Sequence, residues 1–154
     1  MTNSKINTYH ISPTEDYPQF LIELIQSIEW KAGPYLAQKV IDNNLASHDE
    51  IIVLTTIDDQ LIGFGAYLAT DILDKTDYPF GPFVSTIYVT PKYRGQGISY
   101  QLINNLLQVA RKSKCEQLYV VTEHTGLYEK NGFTFQRFVT DIFNRKMRLL
   151  KEDL

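Results

Sequence analysis

The chain holds a single cysteine, Cys115. An intramolecular disulfide and a cysteine-based zinc site are therefore both excluded. Cys115 stands at the end of a helical pattern with no reactive-thiol signature around it, so it reads as a packing residue. Long apolar runs are missing too. None approaches the roughly 20 residues of a membrane helix, and the opening MTNSKINTYHISPTED has no apolar core of signal-peptide length. Together these read as a cytosolic protein. Basic excess is also absent. Fifteen Lys and Arg against 18 Asp and Glu give a formal net charge of -3, whereas a non-specific nucleic-acid binder is usually basic. No repeat, low-complexity tract or linker interrupts the 154 residues. That length suits one domain with its own core, so 1–154 is read as a single domain.

What is present is a clear order of elements. INTYHI, Ile6 to Ile11, reads as a short strand. Ser12, Pro13 and Glu15 form a capping box, with Asp16 as a rival cap and Pro18 complicating the first turn. Phe20, Leu21, Leu24, Ile25 and Ile28 then repeat at helical spacing. A second helix is expected near Pro34, with Leu36, Val40 and Ile41 on its buried face. EIIVLTTI and QLIGFGAYLA are β-rich and meet at Asp58-Asp59, which reads as a hairpin. Gly63 and Gly65 inside the second strand point to a bulge or a close backbone approach. TDILDKTDYPFGP, Thr70 to Pro82, reads as a loop, and FVSTIYV as the next strand.

Ile98, Leu102, Ile103, Leu106, Leu107 and Ala110 share one face of a helix running from Ile98 to Lys112. EQLYVVTE is the strand after it. Strand, helix, strand makes a βαβ unit, so these two strands should be parallel. GLYEKNGF reads as a short helix closed by Gly132 as a left-handed cap, and FTFQRFV and DIFNRKMRLL as two final strands. The order is α+β: a mixed sheet with helices on its faces.

One stretch carries chemistry: YVTPKYRGQGIS. Gly95 and Gly97 allow positive φ and put no side chain in a ligand's way. The helix starting beside them presents free N–H groups and its positive dipole end, where an anion binds readily. Arg94 adds fork-shaped donors suited to phosphate oxygens, and Ser99 a hydroxyl. The alternative is a tight β-to-α turn with a surface arginine. Two familiar phosphate loops do not fit. No Lys-Ser or Lys-Thr follows the glycine as a P-loop requires, and Tyr100 stands where the dinucleotide fingerprint needs a third glycine.

The whole constellation resembles the GNAT acyl-CoA-dependent N-acetyltransferases. Their pattern is a strand, Pro-x-x-Arg-Gly-x-Gly-x-(Gly or Ala), then a long helix; here it is IYVTPKYRGQGIS, with Ser99 in the last place. LYEKNGF, Leu127 to Phe133, matches a second family motif at the right distance. The IIVLTTIDDQLIGFGAYLA hairpin matches the family's central strand pair. The resemblance covers roughly Ile51 to Leu150. Thr122 and His124 stand where many members carry an asparagine and an alanine.

The resemblance implies a mostly antiparallel twisted sheet with one parallel βαβ unit and helices on both faces. It implies acetyl-CoA as donor, direct transfer to a primary amine of a small molecule or peptide, no covalent enzyme intermediate and no metal. The pyrophosphate is expected on the N–H groups of Arg94, Gly95, Gln96, Gly97, Ile98 and Ser99. The pantetheine arm is expected along Ile87, Tyr88 and Val89, with the N–H near Val89 facing the thioester carbonyl. Loss of one such donor typically costs about 2.7–4 kcal/mol.

Tyr128 is the expected general acid for the departing thiolate. Glu123, His124 or a water chain is the expected base for an ammonium whose free pKa is around 10. The acceptor is expected to meet Glu29-Trp30 and the Thr70-to-Pro82 loop. Asp71, Asp74 and Asp77 there could draw a cationic amine, against the commoner reading of a solvated loop, and Trp30, Tyr78 and Phe80 could wall a pocket, although core packing is the commoner role for any one of them. A homodimer through the C-terminal strands is a further option that the resemblance raises. A catalytically silent acyl-CoA sensor of the same fold is the rival reading. A nucleic-acid clamp at Arg94 is disfavoured by the charge.

Overall fold

The computed structural model describes residues 6–12, 16–28, 30, 32–41 and 50–154. One seven-stranded sheet runs through it, in the order β1-β2-β3-β4-β5-β7-β6. The strands are β1 (Ile6–Ile11), β2 (Ile51–Ile57), β3 (Gln60–Leu68), β4 (Phe83–Val89), β5 (Gln117–Thr122), β6 (Thr134–Thr140) and β7 (Lys146–Asp153). All neighbours are antiparallel except β4 and β5. The expected mixed sheet with one parallel pair is therefore what forms.

Helices cover both faces. α1 (Phe20–Gln26) and α2 (Ala32–Ile41) pack Leu21, Ile22, Ile25 and Leu36 against Ile52, Leu54, Phe64 and Ala66. α3 (Ile98–Lys112) lays Leu102, Ile103, Leu106 and Ala110 on Val53, Val84, Val120 and Leu150 across the other face. A third cluster, with Leu73, Phe83, Val121, Met147 and Leu149, seats the β3–β4 loop on the C-terminal half of the sheet.

Two expectations are corrected. The helix does not start at the Ser12 capping box. Its N-cap is Gln19 and it runs from Phe20, because Pro18 has no N–H to give and disfavours helical backbone before it. Pro13 and Glu15 lie outside the described residues. Ile41 is not on the buried face of α2; it is 50% exposed, while Gly33, Leu36, Ala37 and Val40 form the inward stripe. The Asp58-Asp59 hairpin forms with positive φ at both residues, 49° and 64°, a pattern that matches the twist of the flanking strands.

Gly63 and Gly65 serve both expected purposes. Between β3 and β4 the register runs Phe64↔Tyr88, then Ala66↔Ser85. Gly65 therefore faces two residues, Thr86 and Ile87, and β4 carries a bulge. A Cβ on Gly63 would lie 2.6 Å from the Tyr88 carbonyl oxygen. A Cβ on Gly65 would lie 2.6 Å from Ile87 Cδ1. The two glycines thus let β4 and α3 close on β3. The carbonyl at Gly63 is fixed, whereas the Ile87 methyl can turn. Gly63→Ala should lower stability by about 1–3 kcal/mol and Gly65→Ala by less. Urea midpoints with equal m-values check this; an equal or greater loss at Gly65 would refute the backbone clash as the limiting contact.

Candidate active site

β4 and β5 are registered only at Phe83↔Tyr119, with the Tyr119 N–H on the Pro82 carbonyl at 3.0 Å. Beyond that point they part. The bulge turns β4 away, and Thr86 sits at a φ of 54°, a region unfavourable for a β-branched residue. The Thr86 hydroxyl is buried without a partner. From Ser85 to Val89 the β4 edge facing the gap has no strand beside it, so its backbone groups remain available.

The gap opens into a groove of about 1000 Å³. Ile87, Tyr88 and Val89 form one wall, and the turn from Tyr93 to Tyr100 forms the end. His124, Thr125, Leu127 and Lys130 close the β5 side, and Trp30 reaches in from the α1–α2 join. Ten of the residues singled out from the sequence thus meet here: Trp30, Ile87, Tyr88, Val89, Arg94, Gly95, Gly97, Ile98, Ser99 and His124. Gln96 lies exposed in the same turn and is not part of the groove wall.

The turn is built for an anion. Thr90 anchors its start, with N–H and hydroxyl on the carbonyls of Ile62 and Leu61 at 2.7 and 2.8 Å. Gly95 and Gly97 both have φ of 80°, and a Cβ on either would meet nothing within 4 Å. They are glycine for conformation and access, not for packing. Gly97 is the N-cap of α3 and brings no side-chain acceptor, so the first N–H groups of the helix face the groove uncapped. Arg94 Nε donates to the Val89 carbonyl at 2.9 Å, and its guanidinium lies 5.8 Å from the Tyr88 ring centre. Trp30 stacks on the same ring at 5.9 Å and 20°. A charge, an aromatic stack and the strand end are thereby locked together.

The β5 side is held from behind. The Thr122 hydroxyl accepts the His124 N–H at 3.0 Å, so Thr122 caps the loop. Arg148 on β7 donates to the His124 carbonyl and, at 3.2 Å, to Glu129. Glu129 also accepts the Gly126 N–H at 3.0 Å. Burial pushes the Glu129 carboxyl up, but these donors outweigh it and hold it below the usual carboxylate range. Asn131 ties the following turn to α3 through the Tyr100 carbonyl and Asn104. Sequence reading found neither Arg148 nor Asn131, since both act across many residues of chain.

Tyr128 stands inside this staple. It is 6% exposed and meets Phe133 edge-on at 5.9 Å. Burial, then the charge of Asp71, push its phenol well above the usual tyrosine range. It therefore stays protonated at any ordinary pH. Glu123 is exposed and outside the groove wall.

In the β3–β4 loop the three aspartates separate. Asp74 and Asp77 are exposed. Asp71 is half-buried and lies outside the groove wall; it accepts the Ile72 N–H at 2.8 Å and the Ser85 hydroxyl, and burial pushes its carboxyl up to about 6. Tyr78 lies away from the groove. Its hydroxyl accepts the Thr140 N–H at 3.1 Å, and with Phe80, Phe83 and Tyr119 it packs the floor beneath the strand junction. Glu29 lies outside the described residues. Ser85 was not singled out from the sequence, although two hydroxyl residues in the apolar FVSTIYV were the available signal. Among the described residues no cluster of three or more His, Cys, Asp or Glu side chains could hold a metal, and no helix is long and apolar enough to cross a membrane.

Comparison with known proteins agrees with this geometry. A profile of the acetyltransferase (GNAT) family matches residues 12–133. An amino-acid acetyltransferase from Mycobacterium tuberculosis is 35% identical over 51 residues, covering 33% of this chain and 29% of that protein. A GNAT family acetyltransferase from Elizabethkingia anophelis, solved with acetyl-CoA bound, superposes with TM-score 0.64 at 18% identity, over 97% of this chain and 98% of that one. An acyl-CoA N-acyltransferase from Pseudomonas aeruginosa gives TM-score 0.66 at 16% identity, over 96% and 99%. The two structures share the fold. The profile extends from Ser12, just after β1, through the Arg94 turn to the end of YEKNGF, and on that span the chain belongs to the acetyltransferase (GNAT) family.

Proposed function

We propose that this protein is an N-acetyltransferase that moves the acetyl group of acetyl-CoA directly to a primary amine of a small molecule or peptide. The observation that carries this reading is the groove itself. A strand edge without a partner leads straight into a turn of two open glycines, an arginine and an uncapped helix N-terminus. An extended amide-bearing arm with a pyrophosphate at its end fits that sequence of groups. The fit is supported by the buried, unpartnered Thr86 hydroxyl and by the open space above Gly95 and Gly97.

Each part then has a task. The N–H groups from Gly95 to Ser99, with Arg94, hold the pyrophosphate. Ile87, Tyr88 and Val89 hold the pantetheine amides as an added strand would, and the N–H near Val89 stabilises the developing oxyanion. Tyr128 gives its proton to the departing sulfur. A phenol that stays neutral is a usable donor throughout the working pH range. Most of the remaining acceleration is orientation of the amine against the thioester. The short similarity to an amino-acid acetyltransferase supports an amine acceptor but covers too little of that protein to choose among acceptors. The Arg148–Glu129 staple speaks against a silent sensor, because it fixes the segment that carries the proton donor.

Calorimetric titration with acetyl-CoA, followed by thiol release across a panel of amines, tests the reading. Binding with turnover is expected; no binding overturns it. Arg94→Glu should weaken acetyl-CoA binding roughly ten- to hundredfold, the equivalent of about 1.5–3 kcal/mol for charge-assisted hydrogen bonds, with an unchanged circular dichroism spectrum. An unchanged Kd would remove the pyrophosphate assignment. Tyr128→Phe should lower kcat about a hundredfold or more while leaving the acetyl-CoA Kd within about twofold. Equal kcat would show that the thiolate leaves without this donor.

A further inference from the structure

On the β5 side the groove wall is a loop rather than a strand. Among the described residues, the backbone from His124 to Leu127 makes no hydrogen bond to other backbone. Yet His124, Thr125 and Leu127 line the groove, with Lys130 just beyond. A stretch without such bonds opens easily unless side chains hold it. The Thr122 hydroxyl takes its first N–H, and Asn131 ties the turn that follows to α3. Between those ends Arg148 reaches in from β7. Its Nη1 donates to the His124 carbonyl, and its Nη2 to Glu129 Oε2 at 3.2 Å. The same Glu129 oxygen accepts the Gly126 N–H at 3.0 Å. One guanidinium therefore spans the loop from His124 to Glu129, and Gly126, at a φ of 88°, folds the chain between them. Tyr128 lies within that span.

The base of this brace is rigid. Arg148 is registered with Thr122 on one side and Phe138 on the other, so its backbone cannot follow the loop. Its guanidinium lies 5.3 Å from the Phe135 ring centre. A planar fork can serve two separate acceptors and lie over a ring at once, whereas an ammonium is a single point of charge. Phe135, 43% exposed on the edge strand β6, thereby has a use: it covers the cation. A lysine in this place could keep Glu129 or the His124 carbonyl, but not both in the same geometry.

We propose that Arg148 is a positioning residue for acetyl transfer. By joining His124 to Glu129 it sets the β5-side wall, and the Tyr128 that this wall carries, against a thioester held on β4. Arg148 itself does not line the groove, so it acts through the loop and not on the donor. This rests on the acetyltransferase reading and adds to it the residue on which the alignment of the two walls depends. Misplacement by about 1 Å can cost on the order of a hundredfold in rate. β5 separates Arg148 from the β4 edge, so the rate should suffer and the donor's affinity should not.

Hydrogen exchange tests the placement without any acceptor. In Arg148→Ala the amides of residues 124–130 should lose protection, while those of α3, β5 and β7 keep theirs. Unchanged exchange in the loop would overturn the proposal. So would protection lost across the whole sheet, the mark of a residue needed only for the fold. Kinetics test the role, with the amine that turns over best in the thiol-release panel. Arg148→Ala should lower kcat about ten- to a hundredfold, with the acetyl-CoA Kd within about threefold. Guanidinium ion, well below unfolding concentrations, should restore part of that loss, and methylammonium ion should not. Arg148→Lys should fold and stay slow, and it carries the comparison if the alanine variant does not fold. Native kcat in either variant, a rise in KM or Kd alone, or failure of guanidinium to restore Arg148→Ala would overturn the positioning role. If acetyl-CoA binds but the native protein uses no amine, the acetyltransferase reading fails, and the exchange pattern alone decides whether Arg148 sets the wall.

Discussion

The parting of β4 from β5 is the constraint on which the rest depends. Parallel strands normally share a ladder of slanted hydrogen bonds. Here one registered pair, Phe83↔Tyr119, precedes a bulge that carries β4 away. Every backbone group on the opened edge is left to something other than the sheet, and buried backbone groups do not stay unpaired at no cost. The left-handed Thr86 and its unpartnered hydroxyl add to that cost, by an amount on the order of 1–3 kcal/mol for a strained residue. Such an edge persists because both sides of it are over-determined. The fully buried Leu106 and Leu102 of α3 brace it on one face, and the Phe80–Tyr119–Phe83 cluster braces its foot.

Electrostatics follow from the same opening. Tyr128 and Asp71 are both pushed up by burial, with opposite consequences. The phenol moves out of the physiological range and stays a donor. The carboxyl moves to its edge and becomes able to exchange a proton near neutrality. The same burial has different consequences because the ordinary values of the two groups differ, and the negative charge on Asp71 is part of what keeps the Tyr128 proton in place.

Much of this was legible in the sequence because it is local. The Ile98–Lys112 periodicity, the Asp58-Asp59 turn and the Gly95/Gly97 turn depend on neighbours within a few residues, and each forms as read. Gly63 and Gly65 announced a close approach without naming what approaches. The start of α1 was misread because a capping box and a proline competed, and the proline prevailed. Ile41 was misplaced because a helix's last turn can carry an apolar residue past the edge of its core. Asp71 with Ser85, and Arg148 with His124 and Glu129, were not legible as pairs. Each joins segments separated by a loop or a strand, and only the sheet order brings them together.

The division of labour between the two halves of the groove follows from how each is held. The β5 side is stapled by Arg148 and Asn131 to β7 and α3, elements whose inner faces are fully buried. The Trp30 side is different. Among the described residues its ring meets the groove through the stack on Tyr88, and Tyr88 in turn lies under Arg94. Substitutions near Trp30 can therefore change what lies against the gap without disturbing the sheet, while any change at Tyr88 reaches the arginine of the anion-binding turn. A groove arranged in this way can be altered at its Trp30 wall while its anion-binding turn is retained. That turn is local in sequence, which is why its chemistry is readable from YVTPKYRGQGIS, whereas the Trp30 wall is assembled from distant segments and is not.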